Sequence, residues 1–176
     1  NGFTIDLDSE IDYFLTQAME SAQEVADATQ LTQNSGVMNP STSIEGWNPY
    51  FEMFAAVDMS GYDEILFWRS YSQEMNVLHA VGPCLRVGND YGLTKGYVDG
   101  FLMKNGLPWY ATNSGYHGDK TIQDVKADRD ERLQLFLVDP TNIVELATKM
   151  EKGAPNILGA QTEKEVTGYA LRKCYN

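Results

Sequence analysis

The chain has 176 residues, 43% of them hydrophobic and 22% charged, with a formal charge of -12 and a pI near 4.4. That length makes one domain or one large piece of one, with enough apolar residues to fill a core. The acidity, without any Lys/Arg cluster, argues against nucleic acid and anionic membrane surfaces as partners but leaves neutral ligands open, and no run of eighteen apolar residues offers a membrane span.

Asp8-Ser9 reads as the opening of the clearest helix, with Ser9 as its cap and Asp12 completing a short capping box. Ile11, Phe14, Leu15, Ala18, Ala22, Val25 and Ala26 recur at steps of three and four, an apolar face about five turns long. No second helix of equal quality follows, so the sequence predicts a packing partner outside these residues. Leu31 to Trp47 is loop chemistry, and Asn48-Pro49 predicts a short helix through Phe54. Glu64 to Tyr71 (E-I-L-F-W-R-S-Y) has no helical stripe and reads as a buried strand, with Trp68 in the core. Val77 to Val81 reads as another strand, ended by Gly82-Pro83.

Leu93 to Met103 puts Tyr97, Phe101 and Leu102 on one helical side, with Asn105-Gly106 and Pro108 as the stop. After Trp109-Tyr110, A-T-N-S-G-Y-H-G-D-K is a polar loop with aromatic and imidazole tips. Ile122 to Ala127 predicts a brief helix and Arg132 to Val138 a strand. Asn142 to Met150 reads as either a two-turn helix or an irregular arm, and Val166 to Tyr175 as a last strand.

Chemistry-bearing motifs are few. Cys84 and Cys174 fit no metal or redox spacing, which leaves a disulfide and two free thiols both open. His79 and His117 lack an H-E-x-x-H arrangement, and there is no G-x-S-x-G, P-loop, G-x-G-x-x-G or calcium-loop run. A glycoside hydrolase needs two carboxylates at a defined separation, one with a raised pKa. Pairs such as Asp63/Glu64 and Asp128/Asp130 read instead as solvated surface acids. The sequence therefore predicts no catalytic residue, no metal and no cofactor. A tetratricopeptide scaffold for a protein partner is the alternative class, although no repeat of about 34 residues appears.

Four segments in this order resemble the SusD/RagB family of outer-membrane glycan-binding lipoproteins of Bacteroidetes. They are the Ala-bearing helix Tyr13 to Ala28; D-E-I-L-F at Asp63 to Phe67; L-T-K-G-Y-V-D-G-F-L-M-K-N-G at Leu93 to Gly106; and D-R-D-E-R-L at Asp128 to Leu133 followed by T-G-Y-A-L-R-K at Thr167 to Lys173. The third is similar to the family's T-x-x-L-V-D-x-F-x-x-x-D-G segment. Glu131 stands where the family usually has Pro, Gly96 is unexpected inside a helix, and Asn105 replaces a frequent Asp.

The resemblance implies a mainly α, SusD-like fold: tetratricopeptide-like helices, an irregular ligand-bearing subregion and a few short strands. It implies an internal portion of one such domain, with 1–30 as a packing helix, 31–120 as the loop-rich ligand-bearing region and 121–176 as strands and loops. The first residue is Asn rather than Met, and remaining segments of the same protein are expected to supply the missing helical partner. The implied function is non-catalytic: surface binding of an oligosaccharide or polysaccharide for delivery to a SusC-like TonB-dependent transporter. The implied location is the outer membrane, surface-exposed through an N-terminal lipid anchor absent from this chain.

Sugar binding uses flat aromatic faces against the apolar faces of sugar rings, with amide and charged groups taking the hydroxyls. Trp109, Tyr110, Tyr116 and His117, with Asn113 as a hydroxyl partner, are the first candidates because they fall in a loop. Trp47 and Tyr50 are the second pair, with a staple to the core as the competing reading. Asp128, Arg129, Asp130 and Arg132 are read as a local ion-pair network fixing a turn into a strand, and Arg172 and Lys173 as doing similar work.

Overall fold

Asp6, rather than Ser9, caps the first helix: its carboxylate accepts from the Ser9 backbone N–H at 3.4 Å. The helix α1 (Leu7–Ala28) then runs 22 residues and closes where the Thr29 hydroxyl donates to the Val25 carbonyl at 2.7 Å. The computed structural model describes residues 6–41, 43, 45–79, 92–145, 151–152 and 167–174. None of the residues of α1 is buried; Phe14, Leu15 and Met19 are each more than 60% exposed. Its predicted apolar face thus forms, with no cover among the described residues.

The chain is mainly α. Among the described residues it has, besides α1, α2 (Pro49–Met53), α3 (Lys95–Asp99), α4 (Ile122–Lys126) and α5 (Glu131–Phe136), and one small antiparallel pair, β1 (Ile143–Glu145) with β2 (Glu151–Lys152). The short helices are defined by their caps. Asn48 accepts from the Phe51 N–H at 3.2 Å ahead of Pro49, and Thr94 accepts from the Tyr97 N–H at 3.2 Å. Thr121 and Asp124 make a reciprocal capping box, and Asp130 accepts from the Arg132 N–H at 2.9 Å.

Two apolar clusters make the core. Trp47, Phe51, Leu135, Phe136 and Ile143 form one; Val98, Ile122, Val125, Leu133, Leu137 and Tyr169 form the other. Helix α5 contributes to both, and this explains its misreading. The predicted strand at Arg132 to Val138 is instead a helix over its first part. Its alternating apolar residues arise because Leu133 faces one cluster while Leu135 and Phe136 face the other. Leu137, just past the helix, makes an isolated bridge to Leu171, and the predicted last strand at Val166 to Tyr175 reduces to that contact within the described residues 167–174.

Other strand expectations also fail. Glu64 to Tyr71 is irregular, and its Leu66 and Phe67 are 72% and 94% exposed, so the run is not a buried strand. An apolar run without a pairing partner leaves its backbone groups unsatisfied as a strand, and none of the described segments pairs with it. Val77 only bridges Ser72, and residues 80–81 lie outside the described set. In Asn142 to Met150, Ile143–Glu145 is the strand β1, and 146–150 are not described. The helix predicted at Leu93 to Met103 shortens to α3, turned off at Gly100; Val98 is its buried residue, while Tyr97 and Leu102 are about half exposed.

Two buried cations tie the core together. Arg172 is fully buried and donates from Nε to the Leu135 carbonyl (2.6 Å), from Nη1 to Asn39 Oδ1 and the Ile143 carbonyl (2.9 Å each), and from Nη2 to the Met38 carbonyl. Its guanidinium also lies 5.8 Å from the Trp47 ring centre and 5.3 Å from that of Phe51. Burial pushes its pKa down to about 10. Lys126 Nζ donates to the Leu137 carbonyl (2.6 Å), Asp139 (2.6 Å) and Asn142 (2.7 Å), and burial lowers it to about 8 against the pull of Asp139.

Candidate functional site

The loop from Asn105 to Asp119 is a folded scaffold. Gly106 takes a φ of 80°, letting its N–H return to the Met103 carbonyl at 2.9 Å, while Met103 donates to the Leu107 carbonyl at 2.8 Å. The Asn105 side chain accepts from the Leu107 N–H (3.0 Å) and donates to the Ser114 carbonyl (3.2 Å). Buried Ser114 donates from its hydroxyl to the Trp109 carbonyl at 2.7 Å and accepts from the Tyr116 N–H at 3.3 Å. These bonds bring Trp109 and Tyr116 together although seven positions separate them.

The rings meet edge to face. Trp109 lies 5.8 Å from Tyr110 at 87° and 5.5 Å from Tyr116 at 62°. Trp109 and Tyr116 are half-buried, Tyr110 is 73% exposed, and Asn113 and His117 are exposed. The structure thus groups three of the candidate residues, Trp109, Tyr110 and Tyr116. His117 is turned to a different partner, Asp128, with Nε2 3.0 Å from its carboxylate.

A charged frame surrounds these rings, and its members were not among the predicted site residues. Lys95 on α3 places Nζ 5.1 Å from the Trp109 ring centre, 3.0 Å from Asp99 and 3.4 Å from Asp119. Asp119 also accepts a short hydrogen bond from the Tyr116 hydroxyl. That bond, followed by Lys95, holds the Asp119 carboxyl below its ordinary range despite some burial, while the hydrogen bond that Lys95 donates to Asp99 raises the Lys95 pKa. Burial first, and then Asp119, pushes the Tyr116 hydroxyl far up. The i,i+4 spacing of Lys95 and Asp99 was visible in the sequence; their proximity to Trp109 was not.

Arg129 supports the same rings from within. It is fully buried and donates from Nη2 to the Val98 and Phe101 carbonyls, both at 2.7 Å, with its guanidinium carbon 5.5 Å from the Tyr116 ring centre. Its Nε and Nη1 have no hydrogen-bond partner among the described residues. The predicted Asp128–Arg132 network therefore divides into three parts. Asp130 and Arg132 pair side by side at 2.9 and 2.5 Å, Asp128 goes to His117, and Arg129 enters the core. The turn they define leads into α5, not a strand. Arg172 likewise is a core residue bound to carbonyls and an amide, with no direct ion pair among the described residues.

Trp47 and Tyr50 do not join the cluster at Trp109. Trp47 is 8% exposed, packed 4.8 Å from Phe51, so the staple reading holds for it and it offers no free face. No family model, no curated relative and no solved structure matches the chain. Tyr50 lines a separate cleft of about 260 Å³ between the two apolar clusters, with Tyr97, Phe101, Phe136, Arg132 and Lys173. Lys173 there sits 3.6 Å from the Phe54 ring centre, and burial lowers its pKa.

No group of three or more His, Cys, Asp or Glu among the described residues could hold a metal ion. Of the carboxylate pairs read in the sequence, Glu64 accepts from the distant Thr32 N–H at 2.6 Å and Asp130 caps α5. Cys174 is an exposed free thiol, and Cys84 lies outside the described residues.

Proposed function

We propose that this chain is part of a non-catalytic, cell-surface glycan-binding protein of the SusD/RagB type, which holds oligosaccharide for a SusC-like TonB-dependent transporter. The observation that carries this reading is the Trp109–Tyr110–Tyr116 cluster. It is an aromatic surface held by loop hydrogen bonds and framed by groups able to bond hydroxyls, Asp99 and Asp119, with Asn113 exposed in the same loop. Preformed rings of this kind stack on sugars with little loss of conformational freedom on binding. The order of the four sequence segments supplies the transporter, the outer-membrane location and the lipid anchor of the proposal.

The test is retardation in affinity gels containing starch, mannan, xylan, pectin or host glycans. Retardation by one class, lost in Trp109→Ala with folding intact by circular dichroism, is the expected result. Mobility unchanged across all of them would overturn it.

A second reading, a helical scaffold facing a protein partner, is favoured by one feature. The apolar face of α1, with Ile11, Phe14 and Leu15 all more than half exposed, is longer than a lone surface helix ordinarily leaves bare. The two readings are compatible, since a transporter-associated binder presents both a ligand face and a protein face.

A further inference from the structure

Resting on the protein-facing reading of α1, we infer that this helix docks into an apolar groove of a partner protein whose rims carry lysine or arginine. All 22 residues of α1 are exposed, and its apolar stripe runs the length of the helix. At 1.5 Å per residue that is about 33 Å of uncovered surface. Ile11, Phe14, Leu15, Ala18, Ala22 and Val25 lie side by side along it. Charge then decides what can cover the stripe. Asp8 and Asp12 follow one border and Glu10 and Glu24 the other, while Glu20 and Asp27 lie behind. The helix holds no Lys or Arg, and none occurs in the chain before Arg69. Among the described residues no cation pairs with any of these acids; Glu20 and Asp27 accept hydrogen bonds from the Gln17 and Gln23 amides.

The needs of the helix itself do not account for that pattern. Asp8 and Glu10 in the first turn favour the helix dipole, but Glu24 and Asp27 sit toward the carboxyl end, where the dipole favours cations. A cover that brings cations to both borders relieves this repulsion as it buries the stripe. A second copy of α1 does the opposite. In either orientation it sets acid against acid along both borders, the charge arrangement by which paired helices reject a partner. An anionic lipid surface is repelled for the same reason.

The experiment measures binding of the whole chain to synthetic amphipathic helices of equal length that share one leucine stripe, bordered by Lys, Gln or Glu. A scrambled Leu/Lys peptide without a stripe is the control. Affinity should fall in the order Lys, Gln, Glu, with roughly three- to tenfold between the first two, as a few exposed ion pairs supply. That gap should narrow as salt is raised. The double variant Phe14→Gln/Leu15→Gln, with helix content unchanged by circular dichroism, should bind the striped Lys peptide about tenfold more weakly or worse. The triple variant Glu10→Gln/Asp12→Asn/Glu24→Gln should bind it no better than the Gln peptide. Equal binding of the Lys and Gln peptides by wild type would overturn the basic rim and leave the protein-facing reading standing. No stripe-dependent binding of any peptide would overturn both. Self-association of the chain in sedimentation velocity that is lost in Phe14→Gln/Leu15→Gln would overturn the inference in favour of a second copy. Stripe-dependent binding to phosphatidylcholine/phosphatidylglycerol vesicles would overturn it in favour of lipid.

Discussion

Two tryptophans in this molecule each sit beside a cation, and the pairs serve opposite purposes. Trp47 lies 5.8 Å from the guanidinium of Arg172, and Trp109 lies 5.1 Å from the ammonium of Lys95. Arg172 is fully buried with every nitrogen donating, chiefly to backbone carbonyls, so ring and cation are locked into the core. Lys95 is half exposed and held among the described residues by two carboxylates, Asp99 and Asp119, and the Trp109 ring beside it is half-buried rather than enclosed. A cation over an aromatic ring does not by itself mark a site. What the cation's hydrogen atoms are bonded to decides whether the ring is structural or available.

The sharpest break in this comparison is at Arg172. Arg172→Met should destabilise by about 3–5 kcal/mol in urea unfolding, because several buried acceptors lose their donor at once. Trp47→Ala should cost a similar 3–5 kcal/mol through the cavity it leaves. Asp139→Asn comes next, at about 3 kcal/mol, since it strands the buried ammonium of Lys126 beside an amide. If it costs under 1 kcal/mol, the Lys126 site is wetter than described.

The same pair gives a pH signature of smaller size. Burial pushes Asp139 up, but hydrogen bonds from Lys126 and Thr141 outweigh it and hold its carboxyl below the ordinary value near 3.8. Its stabilisation is therefore present above that value and lost as pH falls through the depressed folded pKa. Lys126 works the other way. Below about 8 both folded and unfolded chains hold its proton and the burial cost is felt in full. Between about 8 and its ordinary 10.5 the folded chain releases the proton first, so stability should rise. Urea midpoints across pH should show that rise in wild type and not in Lys126→Met.

At the exposed pair, Trp109→Ala should cost about 1 kcal/mol or less in stability yet lower glycan retention at least tenfold, the reverse of Trp47→Ala. The smallest effect is expected on α1, where Phe14→Gln should change stability by under about 0.5 kcal/mol. A cost above 1 kcal/mol there would mean that the helix packs against something in solution.

Legibility in the sequence followed how local each signal was. The helix periodicity of α1, the start of α2 at Asn48-Pro49 and the brief helix at Ile122 to Ala127 were readable because helix starts and stripes act within four residues. The loop aromatics Trp109, Tyr110 and Tyr116 were readable for the same reason: they interrupt polar chemistry. Helix α5 was not, because burial between two clusters gave a six-residue helix the alternation of a strand. The run at Glu64 to Tyr71 was misread because apolar content was taken for burial, whereas Phe67 is 94% exposed. The roles of Arg129 and Arg172 depend on carbonyls 28 to 134 positions away, which no local pattern records.

That last separation has a consequence in time. Arg172 donates to the Met38 carbonyl across 134 positions. A ribosome adding about 5–20 residues per second takes roughly 7–27 s to cover that distance. For nearly all of that interval Trp47 and Phe51 are already made, but the cation that completes their surroundings is not. The nascent chain thus carries an unfinished aromatic core until residue 172 has been added, and the length of that exposure to chaperones is set by the position of one arginine.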